Sequence, residues 1–390
     1  MNKKVSITAV LGIYNGERYL DSLFDQISNQ TYKNFKLLII DNHSTDQSFK
    51  IVSTWKREFG SDLVLVKNDR NLGGLGSLYR NLDKVHTKWF LTLHQDDFYK
   101  PNHIEILSEE ISKSEQDVIG VSSTMGSIDS FGNILKSKPR SSWFAMNLDQ
   151  PGQFLQNVRS QSVPYPASAF KLEIFNKSKV LIHSPTFSDT EQTLKMLAYG
   201  KFKYSELETM YYRENPDSES QMLNTTEREM GAVISLTRIF NSREFTIIID
   251  KLPNKVRGKF AEQLVKSIKS RVRNDQISNF LSITALECML QHWGYDKGKE
   301  ITRVLNKEYQ KFSSGLTNEI LSQLSYLPKK YRVMRSKQPA SNKFTRRIWN
   351  YYFNCKSNFL NKNHKIVLMI FYKIIFLFKK NHIFKNNWKM

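Results

Sequence analysis

The sequence predicts an α/β domain with a Rossmann-like, mostly parallel sheet, followed by a helical C-terminal domain and a basic amphipathic tail. Three observations predict it. Apolar runs of strand length alternate with amphipathic segments as far as residue 122, helical periodicity takes over after residue 224, and no acidic residue follows Glu319. Continuous apolar strands that alternate with helices are typical of a parallel sheet covered on both faces. We therefore expect domains at residues 1–224, 225–328 and 329–390.

Five apolar runs in the first part of the chain have strand length and are rich in Val, Ile, Leu and Phe. They occupy residues 5–11, 35–40, 63–66, 89–93 and 118–121. The first run is short for a signal peptide and no small-residue cleavage site follows it, so we expect a buried strand. Between the runs, apolar residues share one helical face at three places. They are Tyr19, Leu20, Leu23, Phe24 and Ile27, then Phe49, Val52, Trp55 and Phe59, then Ile104, Leu107 and Ile111.

The part of the chain after residue 224 has the periodicity of helices. Its two clearest stripes are Phe260, Leu264, Ile268 and Val272, and then Ile277, Leu281, Ala285 and Cys288. Residues 126–224 are interpreted as a less regular continuation of the α/β domain. Only two cysteines occur in the chain, which excludes a disulfide framework and favours a reducing compartment.

The positive charge of the chain is concentrated at its C-terminal end. The chain has 58 Lys and Arg against 37 Asp and Glu, and 16 of those basic residues lie in residues 329–390. Within this tail, residues 366–378 are apolar except for Lys373. As a helix this run would reach about 20 Å, which is short of a ~30 Å hydrocarbon core. Apolar and basic blocks of this kind favour an interfacial anchor on an anionic membrane.

Two other interpretations of the tail stay open. The apolar run would also suit the last core helix of the helical domain, and the charge would suit nucleic acid. We favour the membrane because apolar and basic residues alternate in blocks. We expect no nucleic-acid partner, since no motif accompanies the charge.

Polar, small and acidic residues follow four of the predicted strands. They occupy residues 12–16, 41–46, 68–74 and 94–97. Ligands of open α/β sheets bind beyond the carboxyl ends of the strands, so we expect these residues to meet at one site. Asp96 and Asp97 end a fully apolar strand, and paired carboxylates there suit a hard divalent cation shared with substrate phosphates.

Each of these segments also has a purely structural interpretation. Asn, Asp, Ser and Gly are the preferred residues of turns and helix caps, which would account for residues 15–16 and 41–42. The glycines at 73, 74 and 76 follow the third strand, whereas a dinucleotide fingerprint follows the first. The first turn also lacks the glycine-rich, arginine-bearing loop that a sugar-phosphate nucleotidyltransferase would need.

The order and spacing of five stretches give a more specific indication. They lie at residues 5–20, 29–46, 71–81, 93–101 and 188–200. In this order they resemble motifs of family 2 glycosyltransferases of the GT-A fold, which move a sugar from a nucleoside diphosphate donor with inversion. Residues 41–46, Asp-Asn-His-Ser-Thr-Asp, are similar to the family's D-D/N-x-S-T-D turn. Residues 94–96, His-Gln-Asp, lie where its D-x-D motif belongs.

The resemblance implies a role for individual residues. Asp41 would hydrogen-bond a uracil or thymine base, and Arg80 would help to stabilise the leaving diphosphate. Asp189 would be the general base, with Glu191 as the nearby alternative, although Asp189 would also suit a helix N-cap. A divalent cation, Mn²⁺ or Mg²⁺, would be held by His94, Asp96 and Asp97. The implied nucleotide-sugar site consists of Ile13, Asn15, Glu17, Asp41, Asn71, Gly73, Arg80, Gln95 and Asp96.

Two departures from the family pattern bear on these roles. His94 replaces the first Asp of D-x-D, and Ser188 replaces the acidic residue that usually precedes the base. Imidazole can itself ligate a divalent ion or hydrogen-bond phosphate. The departures motivate a second hypothesis, a non-catalytic subunit that binds a nucleotide sugar or serves as a scaffold in a glycan assembly complex.

The leading expectation is an enzyme that transfers a hexosyl or deoxyhexosyl group from a UDP- or dTDP-linked donor. Its acceptor would be a glycan, lipid-linked, in the synthesis of a bacterial surface polysaccharide such as capsule or lipopolysaccharide. The protein would be cytoplasmic and would associate peripherally with the inner face of the plasma membrane through the tail.

Overall fold

The computed structural model of the protein describes residues 5–135, 145, 147–181, 187–215, 225–294 and 298–316. The expectations for residues 329–390, including the membrane-associating tail, lie outside the described residues. Among those described, no helix has both the length and the apolar character that crossing a bilayer requires.

One nine-stranded sheet forms the first part of the described chain. Its strands are β1 (Ile7–Ile13), β2 (Phe35–Asp41), β3 (Leu63–Lys67), β4 (Trp89–His94), β5 (Phe98–Tyr99), β6 (Val118–Ile128), β7 (Ile134–Leu135), β8 (Ser168–Lys171) and β9 (Lys201–Arg213). Their order is β3-β2-β1-β4-β8-β6-β9-β5, with β7 paired to β6. Strands β1 to β4 run parallel, and β6 and β9 share a parallel pairing. Strand β8 lies antiparallel between β4 and β6.

Eight helices accompany this sheet within the described residues. They are α1 (Glu17–Ser28), α2 (Ser48–Thr54), α3 (Lys56–Phe59), α4 (Gly74–Asn81), α5 (His103–Ser112), α6 (Gln150–Arg159), α7 (Leu172–Lys177) and α8 (Ser188–Met196). A short 3-10 turn at Tyr165–Ala167 precedes β8.

Both faces of the sheet are buried. On one face, alternate residues of β1, β2 and β4 pack with apolar side chains of α1, α2 and α5, such as Leu23, Val52 and Leu107. On the other face, Phe90 of β4 lies 5.0 Å from Phe175 of α7 between ring centroids, in an edge-on arrangement. Continuous apolar strands thus supply one face to each layer of helices, as the sequence predicts.

Five further helices follow residue 224 within the part of the chain that the structure describes. They are α9 (Thr225–Phe240), α10 (Arg243–Asp250), α11 (Asn254–Arg271), α12 (Asp275–Trp293) and α13 (Lys299–Leu316). They are joined to the α/β part by aromatic contacts: Phe154 of α6 lies 5.7 Å from Phe245 and 6.5 Å from Phe260 between ring centroids. The predicted α/β domain with a mostly parallel sheet, followed by helices, is confirmed for the described residues. The predicted boundaries of the domains stay a prediction.

Candidate active site

The carboxyl ends of the central strands meet at one edge of the sheet. In the register of the sheet, Gly12 pairs with His94 and Ile13 pairs with Asp41, which itself pairs with Lys67. Parallel strands bring these residues to the same level because each strand ends at the same edge. The turns that follow β1, β2 and β4, residues 12–17, 41–48 and 94–97, are called here the strand-end turns.

The first two strand-end turns are interlocked by hydrogen bonds between side chains and backbone. The backbone N–H groups of Asn15 and Gly16 donate to the hydroxyls of Ser44 and Ser48, at 3.1 and 2.9 Å. In return, the Oδ1 of Asn15 accepts from the N–H of Thr45 at 2.8 Å. Asn15 has a φ of 47°, in the left-handed region that Asn tolerates better than most residues.

Glu17 and Asp41 continue this pattern. The Oε2 of Glu17 accepts from the N–H of Gln47 at 2.8 Å. Asp41 is fully buried; its carboxylate accepts from the N–H of Ser44 at 3.2 Å and lies 3.7 Å from the Nζ of Lys67. The acceptor oxygens of these side chains therefore already bind the backbone of the turns, and this holds the shape of the edge.

Gln95 connects the first turn to the third. Its amide accepts from the N–H of Tyr14 at 2.9 Å and donates to the carbonyl of Tyr14 at 3.0 Å. The approach is close enough that a Cβ on Gly16 would lie 2.3 Å from the Oε1 of Gln95. Only glycine fits at position 16 while Gln95 keeps this position.

A set of buried amides lies behind the second turn. The Oδ1 of Asn42 accepts from the Nδ2 of Asn68 and from the N–H of Leu72, both at 3.0 Å, and the Nδ2 of Asn42 donates to Asn71 at 2.8 Å. Asn71 also accepts from the N–H of Gly73 at 2.8 Å. Gly73 has a φ of 71°, which favours glycine.

Arg80 is exposed and lines a pocket of about 400 Å³ with Lys67, Asp69 and Lys84. Within the described residues, no hydrogen bond or ion pair joins Arg80 to the strand-end turns.

His94, Asp96 and Asp97 lie together at the end of β4, and one potential ligand atom from each falls within 4.8 Å of the others. The Nδ1 of His94 is 3.6 Å from the Oδ2 of Asp97, whose side chain is 1% exposed. Burial lowers the pKa of His94, although 44% of its side chain remains exposed. The carboxylates of Asp96 and Asp189 act in the opposite direction on that pKa.

Arg213, at the end of β9, holds the backbone of this cluster. Its N–H donates to the Oδ1 of Asp97 at 2.9 Å, and its Nε donates to the carbonyl of Asp96 at 2.7 Å. Its Nη1 reaches the carbonyls of Asp129 and Ser130 at 3.1 and 3.2 Å. One guanidinium thus joins the third strand-end turn to the hairpin between β6 and β7.

Asp189 lies in the first turn of α8, and its surroundings are called here the Asp189 pocket: Gln161, Tyr165, Asp189 and Arg271. The amide of Gln161 and the N–H of Thr190 donate to the Asp189 carboxylate, and the hydroxyl of Tyr165 donates to its carbonyl at 3.3 Å. Burial raises the pKa of Asp189, while the bonds from Gln161 and Thr190 and the charge of Arg271 oppose that rise. Since Asp189 acts electrostatically on His94, the pocket adjoins the cluster at β4.

Glu191 occupies another environment, although it is two residues from Asp189. Its side chain is 2% exposed, and it lies 3.2 Å from Arg238 of α9 and 3.8 Å from Lys195. Burial raises its pKa to about 7, and the two cations oppose that rise. Glu191 therefore belongs to the packing of α8 against α9.

Sequence reasoning missed Gln161, Tyr165, Arg213 and Arg271. Arg213 is the last residue of β9, a strand that mixes charged and apolar residues, so no pattern in the sequence singles it out. The other three lie in irregular or helical segments, and their spacing in the sequence gives no sign that they meet Asp189.

Comparison with known proteins finds a family match for part of the chain. Residues 8–178 match the model of the family described as Glycosyl transferase family 2. The matched segment is less than half of the chain. It contains the strand-end turns and the cluster at β4, while Asp189 and Arg271 lie beyond the matched residues.

Individual relatives match different lengths of this chain. An uncharacterized glycosyltransferase of Haemophilus influenzae is 28% identical over 109 residues, which is 28% of this chain and 33% of that protein. The poly(ribitol-phosphate) beta-glucosyltransferase of Bacillus spizizenii is 22% identical over 201 residues, 51% of this chain and 30% of that protein. The chain thus spans about a third of the length of these relatives. The crystal structure of S. aureus TarS 1-349 in complex with UDP-GlcNAc superposes with a TM-score of 0.49 and 14% identity, over 79% of this chain and 92% of that one.

The residues at the end of β4 fit a divalent cation. One imidazole and two carboxylates offer nitrogen and oxygen ligands of the kind that Mn²⁺ and Mg²⁺ accept. The Asp97 carboxylate is buried beside His94 and accepts from the N–H of Arg213, so one of the three candidate ligand groups is held in place by the protein. His94, Asp96 and Asp97 are the residues that would hold it.

Proposed function

We propose that the protein is an inverting glycosyltransferase that moves a sugar from a UDP- or dTDP-linked donor to a glycan acceptor. The observation that carries this proposal is the position of a half-buried carboxylate, Asp189, beside the cluster of His94, Asp96 and Asp97 at the edge of a family 2 sheet. Sugar transfer needs a group that stabilises the charge of the leaving diphosphate. It also needs a base that accepts the proton of the incoming hydroxyl.

The donor would lie across the strand-end turns. Its base would reach Asp41, and its ribose and phosphates would pass Ile13, Asn15 and Glu17 toward Asp96. The interlocked backbone of these turns supports this, because a fixed edge loses little entropy when the donor binds. A cation held by His94, Asp96 and Asp97 would neutralise charge that develops on the departing diphosphate.

Asp189 would act on the acceptor. As the acceptor oxygen forms its bond to the anomeric carbon, its proton passes to the Asp189 carboxylate, and the bond from that carbon to the diphosphate oxygen breaks on the opposite side. The carbon is thereby inverted. General-base assistance of this kind contributes ~10²–10⁴-fold to the rate. Gln161 supports this role, since its amide donates to one carboxylate oxygen and opposes the rise that burial causes in the pKa of Asp189.

The acceptor would be a lipid-linked glycan in the synthesis of a bacterial surface polymer. A poly(ribitol-phosphate) beta-glucosyltransferase among the relatives supports an acceptor of the surface-polymer class. The basic and apolar residues of the segment 329–390 would then hold the enzyme on the anionic, cytoplasmic face of the membrane.

The test is release of nucleoside diphosphate by the purified full chain from a set of UDP- and dTDP-sugars, with Mn²⁺ or with a chelator. Asp189→Asn should reduce release by ~10²–10⁴-fold while leaving the affinity for the donor unchanged. Asp275→Asn is the matched control, because Asp275 also lies in the first turn of a helix but is exposed.

Two results would contradict the proposal. If the donor binds and no variant or metal condition gives release above the uncatalysed rate, the chain is instead a nucleotide-sugar-binding subunit. If Asp189→Asn turns over as fast as the unsubstituted chain, Asp189 is not the base.

A further inference from the structure

Arg271 is the last residue of α11, and its guanidinium reaches two helices that lie far from it in the sequence. Its Nη1 donates to the carbonyls of Asn157 and Val158 at 2.8 and 3.4 Å. Its Nη2 donates to the hydroxyl of Thr190 at 3.3 Å. Its Cζ lies 5.0 Å from the ring centroid of Phe187.

These contacts join the end of α6 to the beginning of α8. Asn157 and Val158 lie in the last turn of α6, where carbonyls have no partner within the helix and a cation is favourable. Thr190 follows Asp189 in the first turn of α8. The guanidinium therefore joins the side chain of the residue after Asp189 to the end of α6, and it comes from outside the segment that matches family 2.

Asp189 is the anion that acts on Arg271. Burial lowers the pKa of Arg271 to about 10, and the carboxylate of Asp189 opposes that change. At neutral pH the guanidinium stays protonated, so the Asp189 carboxylate has a positive charge in its surroundings. Among the described residues, the imidazole of His94 and the phenol of Tyr165 also interact electrostatically with Asp189, and neither brings a fixed positive charge.

We propose that Arg271 is a positioning residue for Asp189: its fork, which binds the end of α6 and the hydroxyl of Thr190, orients the first turn of α8 toward the cluster at β4, and its positive charge favours the ionised form of the half-buried Asp189 carboxylate. The role proposed for Arg271 rests on the proposed function, because it requires that Asp189 accepts a proton. It also makes α11 part of the candidate active site.

The test compares Arg271→Met and Arg271→Lys in the full chain. A misplaced base can cost ~10²-fold, so Arg271→Met should lower kcat by about that factor with little change in the KM for the donor. The acidic limb of its pH profile should move to higher pH, because a buried carboxylate without a cation holds its proton more tightly. Arg271→Lys should keep the limb near its normal position, since the charge remains, but lower kcat because the fork is lost.

Arg303→Met is the control. Arg303 of α13 pairs with Glu262 at 3.3 Å, but its side chain is 77% exposed. The substitution removes an arginine from the same group of helices but lies outside the Asp189 pocket, so kcat and the pH profile should be unchanged. If Arg271→Met folds and shows the kcat and acidic limb of the unsubstituted chain, Arg271 is only a helix cap.

A second measurement does not depend on activity. Urea unfolding of Arg271→Met, Asp189→Asn and the double variant gives a thermodynamic cycle. We expect the two shifts in midpoint to be non-additive, because loss of Asp189 removes the charge that Arg271 faces. Additive shifts would overturn the proposal. If the unsubstituted chain releases no nucleoside diphosphate, the proposed function fails, whereas the cycle still reports on the Arg271–Asp189 interaction.

Discussion

The strand-end turns and the Asp189 pocket are built in different ways. In the turns, Asn15 and Glu17 bind backbone N–H groups of the adjacent turn, about thirty residues away, and Asp41 binds the N–H of Ser44 in its own turn. In the pocket, Asp189 accepts from Gln161, which precedes β8, and Arg271 of α11 binds Thr190 and a carbonyl 114 residues away. The sheet thus provides one half of the candidate site, and the packing of helices provides the other.

The difference matters for how each half responds to change. A turn stabilised by many short bonds should lose stability and donor affinity together when one bond is removed. A pocket formed by a few distant side chains should lose catalysis while the fold survives. Four substitutions test this contrast, from the largest expected effect to the smallest.

Asp96→Asn should have the largest effect, because it removes a charge from the cluster at β4. We expect nucleoside diphosphate release to fall ~10²–10³-fold, the range for loss of one group that stabilises developing charge. The concentration of Mn²⁺ needed for half-maximal activity should rise, measured by metal titration. Asp69→Asn is the control, since Asp69 is exposed in the pocket beside Arg80. If Asp96→Asn needs the same concentration of Mn²⁺ as the unsubstituted chain, the cation does not bind at this cluster.

Glu191→Gln tests how the stability of the protein depends on pH through the buried carboxyl of Glu191 in α8. A carboxyl whose pKa rises from 4.5 to about 7 on folding binds its proton more tightly in the folded state. Stability should therefore fall as pH rises between 4.5 and 7, by on the order of 3 kcal/mol. The free energy of unfolding of the Gln variant, measured with urea, should not fall over this pH range. That of Glu173→Gln, at an exposed position of α7, should still fall. If the free energy of unfolding falls equally with pH in Glu191→Gln and in the unsubstituted chain, Glu191 is not the group that causes this pH dependence.

Gly16→Ala should displace Gln95 from Tyr14, because the new Cβ would lie 2.3 Å from its Oε1. Overpacking of this kind costs about 1–3 kcal/mol, and donor affinity should fall with it, as measured by calorimetry. Gly12→Ala is the matched control, since nothing lies within 4 Å of a Cβ there. Equal donor affinity and stability in both variants would argue against a tight contact at position 16.

Asn42→Ala should have the smallest effect. It leaves the N–H of Leu72 and the amide of Asn68 without their acceptor, which costs about 1–3 kcal/mol in a buried setting. The loss should be seen in the free energy of unfolding, with Asn34→Ala, an exposed position, as control. A variant as stable as the unsubstituted chain would show that the amide network is dispensable.

Much of the first half could be predicted before the structure was known. The five apolar runs became β1 to β4 and β6, and the stripes through Leu23, Val52 and Leu107 became buried helix faces. This succeeded because burial on both faces of a parallel sheet leaves a continuous apolar signal. His94, Asp96 and Asp97 are neighbours in the sequence, and the rule that such strands end at one edge predicted that they would lie beside the turn after β1.

The partners of Asp189 could not be predicted in the same way. Glu191 lies two residues from Asp189 in the sequence, yet it points to Arg238 while Asp189 faces Gln161. Successive residues of a helix turn by about 100°, so neighbours in sequence face different elements. Which element covers each face depends on how α9 and α11 pack, and periodicity does not specify that.

The sequence by itself determined the order of strands and helices and the edge at which polar residues collect, because both follow from local hydrophobic patterns. Only the tertiary structure decided that Arg271 and Gln161 meet Asp189, and that Arg213 holds Asp96 and Asp97. Those contacts join residues whose distance along the chain carries no information about their distance in space, and they form only when separate elements pack.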